Sequence, residues 1–509
     1  MGHRRNAPQP GRPHQHLESG DCAGILAQPR RRGAGRLRRE GRRAAVVTVS
    51  LSDWDYLVLA LMAAGILSLG FSARLRENTT LQLIAAGRNL TLPLFVATLV
   101  TTWYGGILGV GEAFDWYGVA TWVLIGMPYY IFGAAYALLL APKVRAEAAI
   151  SLPERFEQRF GKTTAILGAL ILLVLGAPGA HILMLGTLLQ MLTGMNFVVA
   201  VLLGALGGTL FLYRGGLLAD ARSNLLAFTM MYVSFGLILL LSVLQFGAPN
   251  LESLPETHRS WDSGQGALFV LGWVLVGTWT FVDPGFHQRV AAARSPETSR
   301  RGVLLSVGFW MLFDLLSIGT AWYAYQEMGG GLGTALFPAY ADRILPAGAK
   351  GLFFAGVFGV IVSAMVGYTL VTGGTIGRDL LGRLAGTEER RVLFTRLGIA
   401  LATLVGIALA LGLKSVVAIW WDVANVAIPG LLIPTVAAYV PRWRLRGRTA
   451  TAALLLGSGG ALLWYVLQRK GMVASVDEGG VLPMYVGFAA SVVPVVVEAA
   501  AARLRPRTG

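Results

Sequence analysis

Asp283 stands in the run Gly277-Thr278-Trp279-Thr280-Phe281-Val282-Asp283-Pro284-Gly285-Phe286-His287-Gln288-Arg289, an acid among apolar and aromatic residues beside a proline. An ionisable group at membrane depth costs roughly 2.5–3.5 kcal/mol on insertion scales, so it is read first as functional. His287 follows one turn later, His181 follows Pro178-Gly179, and Asp314 and Asp422 lie in otherwise apolar stretches. Such groups carry protons or hold cations; the competing roles are packing for His181 and helix bridging for Asp314 and Asp422. Asp283 is taken as functional because charge and kink coincide there. Trp103 and Tyr104 precede Gly105-Gly106, while Trp279 and Phe286 flank Asp283. Aromatic faces attract organic cations, and a nearby carboxylate strengthens that preference. A small cationic or zwitterionic amine is therefore the expected solute, with packing and interface anchoring as the competing use of tryptophan. No nucleophile–base pair is visible, the six histidines lack metal-ligand spacing, and one cysteine excludes a multi-cysteine metal site. An enzyme is not expected.

Those side chains need an apolar surround, and the chain supplies one. Of its 509 residues, 55% are hydrophobic and 14% charged, against about 25% charged in soluble domains. Apolar runs of about 20 residues, each enough for a hydrocarbon core of about 30 Å, fall at 52–72, 90–111, 119–141, 164–193, 197–213, 222–246 and 267–288. They continue at 302–327, 351–377, 392–412, 415–440, 449–468 and 481–502. Backbone groups in lipid must be satisfied internally, so an all-α polytopic membrane protein with about 13 transmembrane helices is expected. Two spans are interrupted: the second, with Gly105, Gly106, Gly109 and Gly111, and the seventh, with Pro284. Glycine weakens a helix and proline removes a donor. Five spans begin with each, and because five is odd the two groups cross in opposite senses. That predicts a five-plus-five inverted repeat, 90–246 and 267–440, with its binding site where the broken helices meet.

Lys and Arg collect in short cytoplasmic loops. With the N-terminus outside and the C-terminus cytoplasmic, 26 of them fall on inward segments, 6 on outward ones and 11 within residues 1–46. The net charge of +16 is thus read as topology, not nucleic-acid affinity, and Glu112 is placed at the outer mouth. Residues 1–46 break the pattern. They are expected to be either a disordered basic tail or an extension upstream of a native start near Val46–Val49, ahead of a transporter domain at 47–509.

Several separated motifs carry a resemblance. Gly87-Arg88-Asn89 leads into Thr102-Trp103-x-Gly105-Gly106; Leu152-Pro153-Glu154-Arg155-Phe156 precedes Arg159-Phe160-Gly161. Gly215-Gly216-Leu217, Asp283 with Gln288-Arg289, and Ser363 followed sixteen positions later by Asp379 complete the set. In this order they resemble the sodium:solute symporter family over nearly all of residues 52–460, and the Thr-Trp-x-Gly-Gly segment looks most like its choline-transporter branch. The resemblance implies a LeuT-like core and a Na⁺ site made of backbone carbonyls around Leu99 and Thr102 with Val360 and Ser363 opposite. Ser363 would supply the side-chain metal ligand. Two departures stand out. The family usually has Thr-Asp and then Gln where Ser223, Asn224 and Ala227 stand here, and many sodium-coupled members have two adjacent hydroxyls where Ser363-Ala364 stands.

The expected function is secondary active transport of a small organic solute (an amine, an amino acid or similar) across the cell (inner or plasma) membrane. Na⁺ is the expected driver and H⁺ the alternative. Thr101, Trp103, Tyr104, Trp279, Asp283 and Phe286 are the expected solute contacts. A symporter-like membrane sensor working with a partner is the remaining alternative.

Overall fold

A capping box starts the first span: the Ser52 side chain accepts from the Asp55 amide, and the Asp55 carboxylate accepts the Ser52 amide at 2.9 Å. The computed structural model describes residues 48–209, 212–384, 387–412, 415–475 and 480–504. Residues 1–46, expected as a basic extension, lie outside them. Helix α1 (Asp53–Ser72) exposes Trp54, Leu57 and Leu61, the outward apolar face that a helix in lipid requires. Next come α2 (Leu92–Tyr104), α3 (Ile107–Tyr117) and α4 (Met127–Leu139), the last entered through a π turn at Trp122–Gly126. The chain continues through α5 (Lys162–Leu175), α6 (Gly179–Thr193), α7 (Phe197–Thr209) and α8 (Leu212–Phe246). The second half holds α9 (Ala267–Val276), the single turn α10 (Trp279–Val282), α11 (Pro284–Ala292) and α12 (Pro296–Met328). It closes with α13 (Ala349–Gly374), α14 (Glu388–Gly412), α15 (Val416–Tyr439), α16 (Gly447–Arg469) and α17 (Pro483–Leu504).

Among the described residues, eleven helices are long and apolar enough to cross a membrane, and the α2–α3 pair, bent by 45°, makes a twelfth. The expected thirteenth is α7. It is an apolar helix of 13 described residues. Of α13's most apolar window, 89% is buried, against 17% for α1 and α17. Helix α13 is therefore the axis of the molecule, and α1 and α17 face lipid.

The motif glycines mark close approaches. Gly216 kinks α8 at φ +52°, and a Cβ there would lie 2.1 Å from the Leu83 carbonyl oxygen. Helices α5 and α6 are separated at Gly176–Pro178, where the Thr372 hydroxyl of α13 donates to the freed Gly176 carbonyl at 2.5 Å. Irregular backbone at this depth is stable when protein supplies the missing partner.

Candidate functional site

Helix α2 stops at Tyr104 because two glycines follow. A Cβ on Gly105 would fall 1.9 Å from Ala364 Cβ and 2.9 Å from the Val360 carbonyl oxygen. The bend thus sits directly on α13, with only hydrogen at the contact. Gly106 and Gly109 meet the Trp420 ring in the same way, at 2.5 Å each.

The second interruption has two parts. Helix α9 ends ahead of Gly277-Thr278, and α10 ends at Asp283. Pro284 cannot donate to the preceding turn, and the Asp283 carboxylate caps α11 instead, accepting the Phe286 amide at 2.7 Å. The same carboxylate accepts the Trp279 indole N–H at 3.0 Å and the Tyr368 hydroxyl at 2.9 Å. The two breaks touch. Trp103 and Phe286 pack edge to face with centroids 6.2 Å apart, and Arg289 of α11 donates to the Thr102 hydroxyl of α2 at 2.6 Å.

The residues expected around sodium lie on α2 and α13. Leu99, Thr101, Thr102, Val360 and Ser363 are buried. The Ser363 hydroxyl donates to Thr101 Oγ1 across the α2–α13 interface at 3.2 Å, and Thr101 also bonds back to the Ala97 carbonyl at 2.8 Å. Leu99 and Thr102 stand within regular helix; the break falls at Gly105–Gly106, later than those two carbonyls. Ala364 is packed against Gly105, so the place of a second hydroxyl is taken by a methyl group.

Beneath this contact lies a polar network that the sequence reading did not assemble. Arg289 is fully buried, and its guanidinium donates to Thr98 Oγ1 at 3.2 Å, the Gly285 carbonyl at 3.2 Å, Thr102 Oγ1 at 2.6 Å and Asp220 Oδ2 at 3.3 Å. Asn224, where the resembled family has its aspartate, donates to Thr98 Oγ1 at 2.8 Å. Asp220, one turn earlier on α8, supplies the carboxylate and is itself fully buried. The sequence signal was there: an acid and an arginine beside apolar spans. Arg289 is expected in the loop after the seventh span and Asp220 falls between the fifth and sixth, whereas both lie within helices.

Above the bend is a cavity of about 150 Å³. Trp103, Tyr104, Tyr129, Trp273, Trp279 and Trp420 form aromatic walls, with Thr102, His181, Asp314 and Tyr368 as polar members. Five expected contacts divide between two cavities: Trp103, Tyr104 and Trp279 face this one, while Asp283 and Phe286, with Trp103 again, line a smaller one between Leu99, Thr102, Arg289 and Tyr368. Thr101 lines neither. Asp314 of α12 accepts the Tyr104 hydroxyl at 2.9 Å and that of Tyr130. His181 is stacked on Tyr368, centroids 5.0 Å apart. Asp422 is tied to Tyr465 at 2.7 Å and Arg469 at 2.9 Å.

The remaining motifs close the two ends. Glu112 of α3, buried, accepts the amides of Val416 and Val417 at 3.0 and 3.1 Å and so caps α15. At the other end Arg378 bridges Glu154 at 2.9 Å and Asp379 at 2.8 Å, and Ser151 donates to Asp379 at 3.0 Å. Arg88 donates to the carbonyls of Glu147 and Ala149.

Comparison with known proteins agrees with this architecture. The model of the sodium:solute symporter family matches residues 83–428, more than half of the chain. YidK, an uncharacterised symporter of Escherichia coli (strain K12), is 26% identical over 317 residues, 56% of this chain and 54% of its own length. That alignment therefore spans about half of the relative. The osmoregulated proline transporter OpuE of Bacillus subtilis (strain 168) is 21% identical over 427 residues, 76% of this chain and 84% of that one. Among solved structures, a Na⁺-coupled sialic acid symporter in its substrate-bound outward-open state superposes with a TM-score of 0.70 at 15% identity, covering 89% of this chain and 98% of that one. The nucleobase-cation-symport-1 transporter MHP1 gives 0.52 at 14% identity over 85% and 96%. These likenesses fix the fold as the LeuT-like five-plus-five inverted repeat. The chain belongs to the sodium:solute symporter family, as a multi-pass membrane protein of secondary active symport and not an enzyme.

Proposed function

We propose that the chain uses a Na⁺ gradient to carry a small organic solute, an amine, amino acid or similar compound, into the cell across the inner or plasma membrane. The observation that carries this reading is the closure of the Gly105 bend on Val360 together with the Ser363–Thr101 hydroxyl pair. Hard cations take oxygen ligands, and a bent helix against an intact one is where this fold concentrates them. Leu99, Thr102, Val360 and Ser363 hold the ion; Thr101, Trp103, Tyr104, Trp279, Asp283 and Phe286 surround or support the solute. Residues 90–246 and 267–440 are the two repeats. Ion binding favours one access state only by its differential affinity for the two.

The N-terminal end of the first span lies outside and the last span ends in the cytoplasm. Removing Arg289 from the cytoplasmic tally leaves the Lys/Arg asymmetry intact. Ala364 supports a second reading, proton coupling, because it leaves one hydroxyl where many sodium-coupled members have two. Thermal unfolding of the purified protein in NaCl against KCl, at two pH values, separates them. A higher midpoint in Na⁺ that is lost in Ser363→Ala supports sodium. Indifference to Na⁺ with a strong pH dependence assigns the driver to protons. Solute uptake into proteoliposomes excludes a purely sensory role.

A further inference from the structure

The cavity above the bend carries one sign of charge. Among the described residues lining it, Asp314 is the one carboxylate and there is no Lys or Arg. The Asp314 side chain is buried, and its two oxygens accept one tyrosine hydroxyl each, from Tyr104 and Tyr130. Neutral donors orient a carboxylate without cancelling its charge. No Lys, Arg or His among the described residues forms an ion pair with it. Room has been left for it: a Cβ on Gly126 would lie 2.7 Å from Asp314 Oδ2. Arg289 does not serve as counter-charge, since its guanidinium is committed to Thr98, Thr102, Gly285 and Asp220.

The walls carry the same preference. Trp103, Tyr129, Trp279 and Trp420 present rings to the space, and ring faces attract cations. Trp279 and Tyr368 also turn their N–H and O–H away onto Asp283, so a second carboxylate stands behind the wall. At about 150 Å³ the space matches an engineered cavity known to take up benzene, so its occupant has about six heavy atoms.

We propose that Asp314 is the counter-charge for the transported solute, and that this solute is a small organic ammonium ion lacking an acid group. This rests on reading the cavity as the solute site of a symporter. It sets the chain apart from the two relatives named for sialic acid and proline, both of which carry a carboxylate that this cavity has no fixed cation to receive.

The test is thermal unfolding of the purified full chain in NaCl, titrated with tetramethylammonium chloride, with sodium acetate and with glycine betaine. Tetramethylammonium is expected to raise the midpoint saturably, acetate to leave it unchanged, and betaine to act more weakly than tetramethylammonium. Asp314→Asn is expected to weaken the tetramethylammonium response by more than about tenfold while the Na⁺ response is retained. Trp420→Leu, which leaves the carboxylate in place, is expected to weaken it too. Stabilisation by acetate equal to that by tetramethylammonium, no response to tetramethylammonium in the wild type, or an unchanged response in Asp314→Asn overturns the proposal. A tetramethylammonium response without any Na⁺ response overturns sodium coupling and leaves the charge assignment standing.

Discussion

Ser363 and Ala364 divide the ion chemistry of α13 between a hydroxyl and a methyl group. If Ser363 ligates Na⁺, restoring the adjacent hydroxyl adds a ligand, so Ala364→Ser is expected to lower the Na⁺ concentration needed for half-maximal stabilisation. A titration of melting midpoint against NaCl reads this, and a rise in that concentration would count against the site. The Asp220–Arg289 pair makes a different prediction. Breaking a buried ion pair from one side leaves the other charge uncompensated, at about 3–5 kcal/mol. Asp220→Asn and Arg289→Gln are each expected to lose that much stability. Neither adds to the other in the double variant, because both remove one shared interaction. Additive losses would show that the two residues act separately. This pair also marks where sequence reasoning stopped. A charge beside an apolar run reads as a loop, as Arg289 does; only the mutual neutralisation of Asp220 and Arg289 across α8 and α11 places them inside. Asp283, legible as special from its proline, turned out to spend its oxygens on the Phe286 amide, Trp279 and Tyr368.

At the scale of elements, the breaks were the most legible feature, because two interrupted spans stand at equivalent positions, five spans apart. Their depth was less so. The bend falls at Gly105–Gly106, where backbone must pass within contact of Ala364, and that partner is more than two hundred residues away in the chain. Gly105→Ala is expected to force α2 and α13 apart, costing about 1–3 kcal/mol as overpacking does, and to abolish the Na⁺-dependent shift. A full Na⁺ response in that variant would separate the bend from ion binding. Gly216→Ala is expected to destabilise as well, through its positive φ and the Leu83 carbonyl. The α5–α6 interruption was missed as a break: Pro178-Gly179 was noted only for its neighbour His181, since the Thr372 hydroxyl that satisfies Gly176 comes from elsewhere in the fold.

For the whole molecule, composition points to lipid as the solvent, and Lys/Arg spacing is the basis of the proposed orientation. The single cysteine of the sequence, Cys22, makes that orientation directly testable. In a Cys22→Ser background, Glu256→Cys is expected to react with an impermeant maleimide from the outside of intact cells, and Arg300→Cys only after lysis; both positions are exposed. The reverse pattern would invert the molecule. Glu112 adds a consequence for motion. Its carboxylate fastens the far arm of the α2–α3 bend to the first two amides of α15. That arm therefore cannot swing outward by itself: it either carries the start of α15 along or surrenders the Val416 and Val417 N–H groups to water. Deuterium uptake at those two amides, faster when this arm is unlatched, would time how often the protein opens at this end.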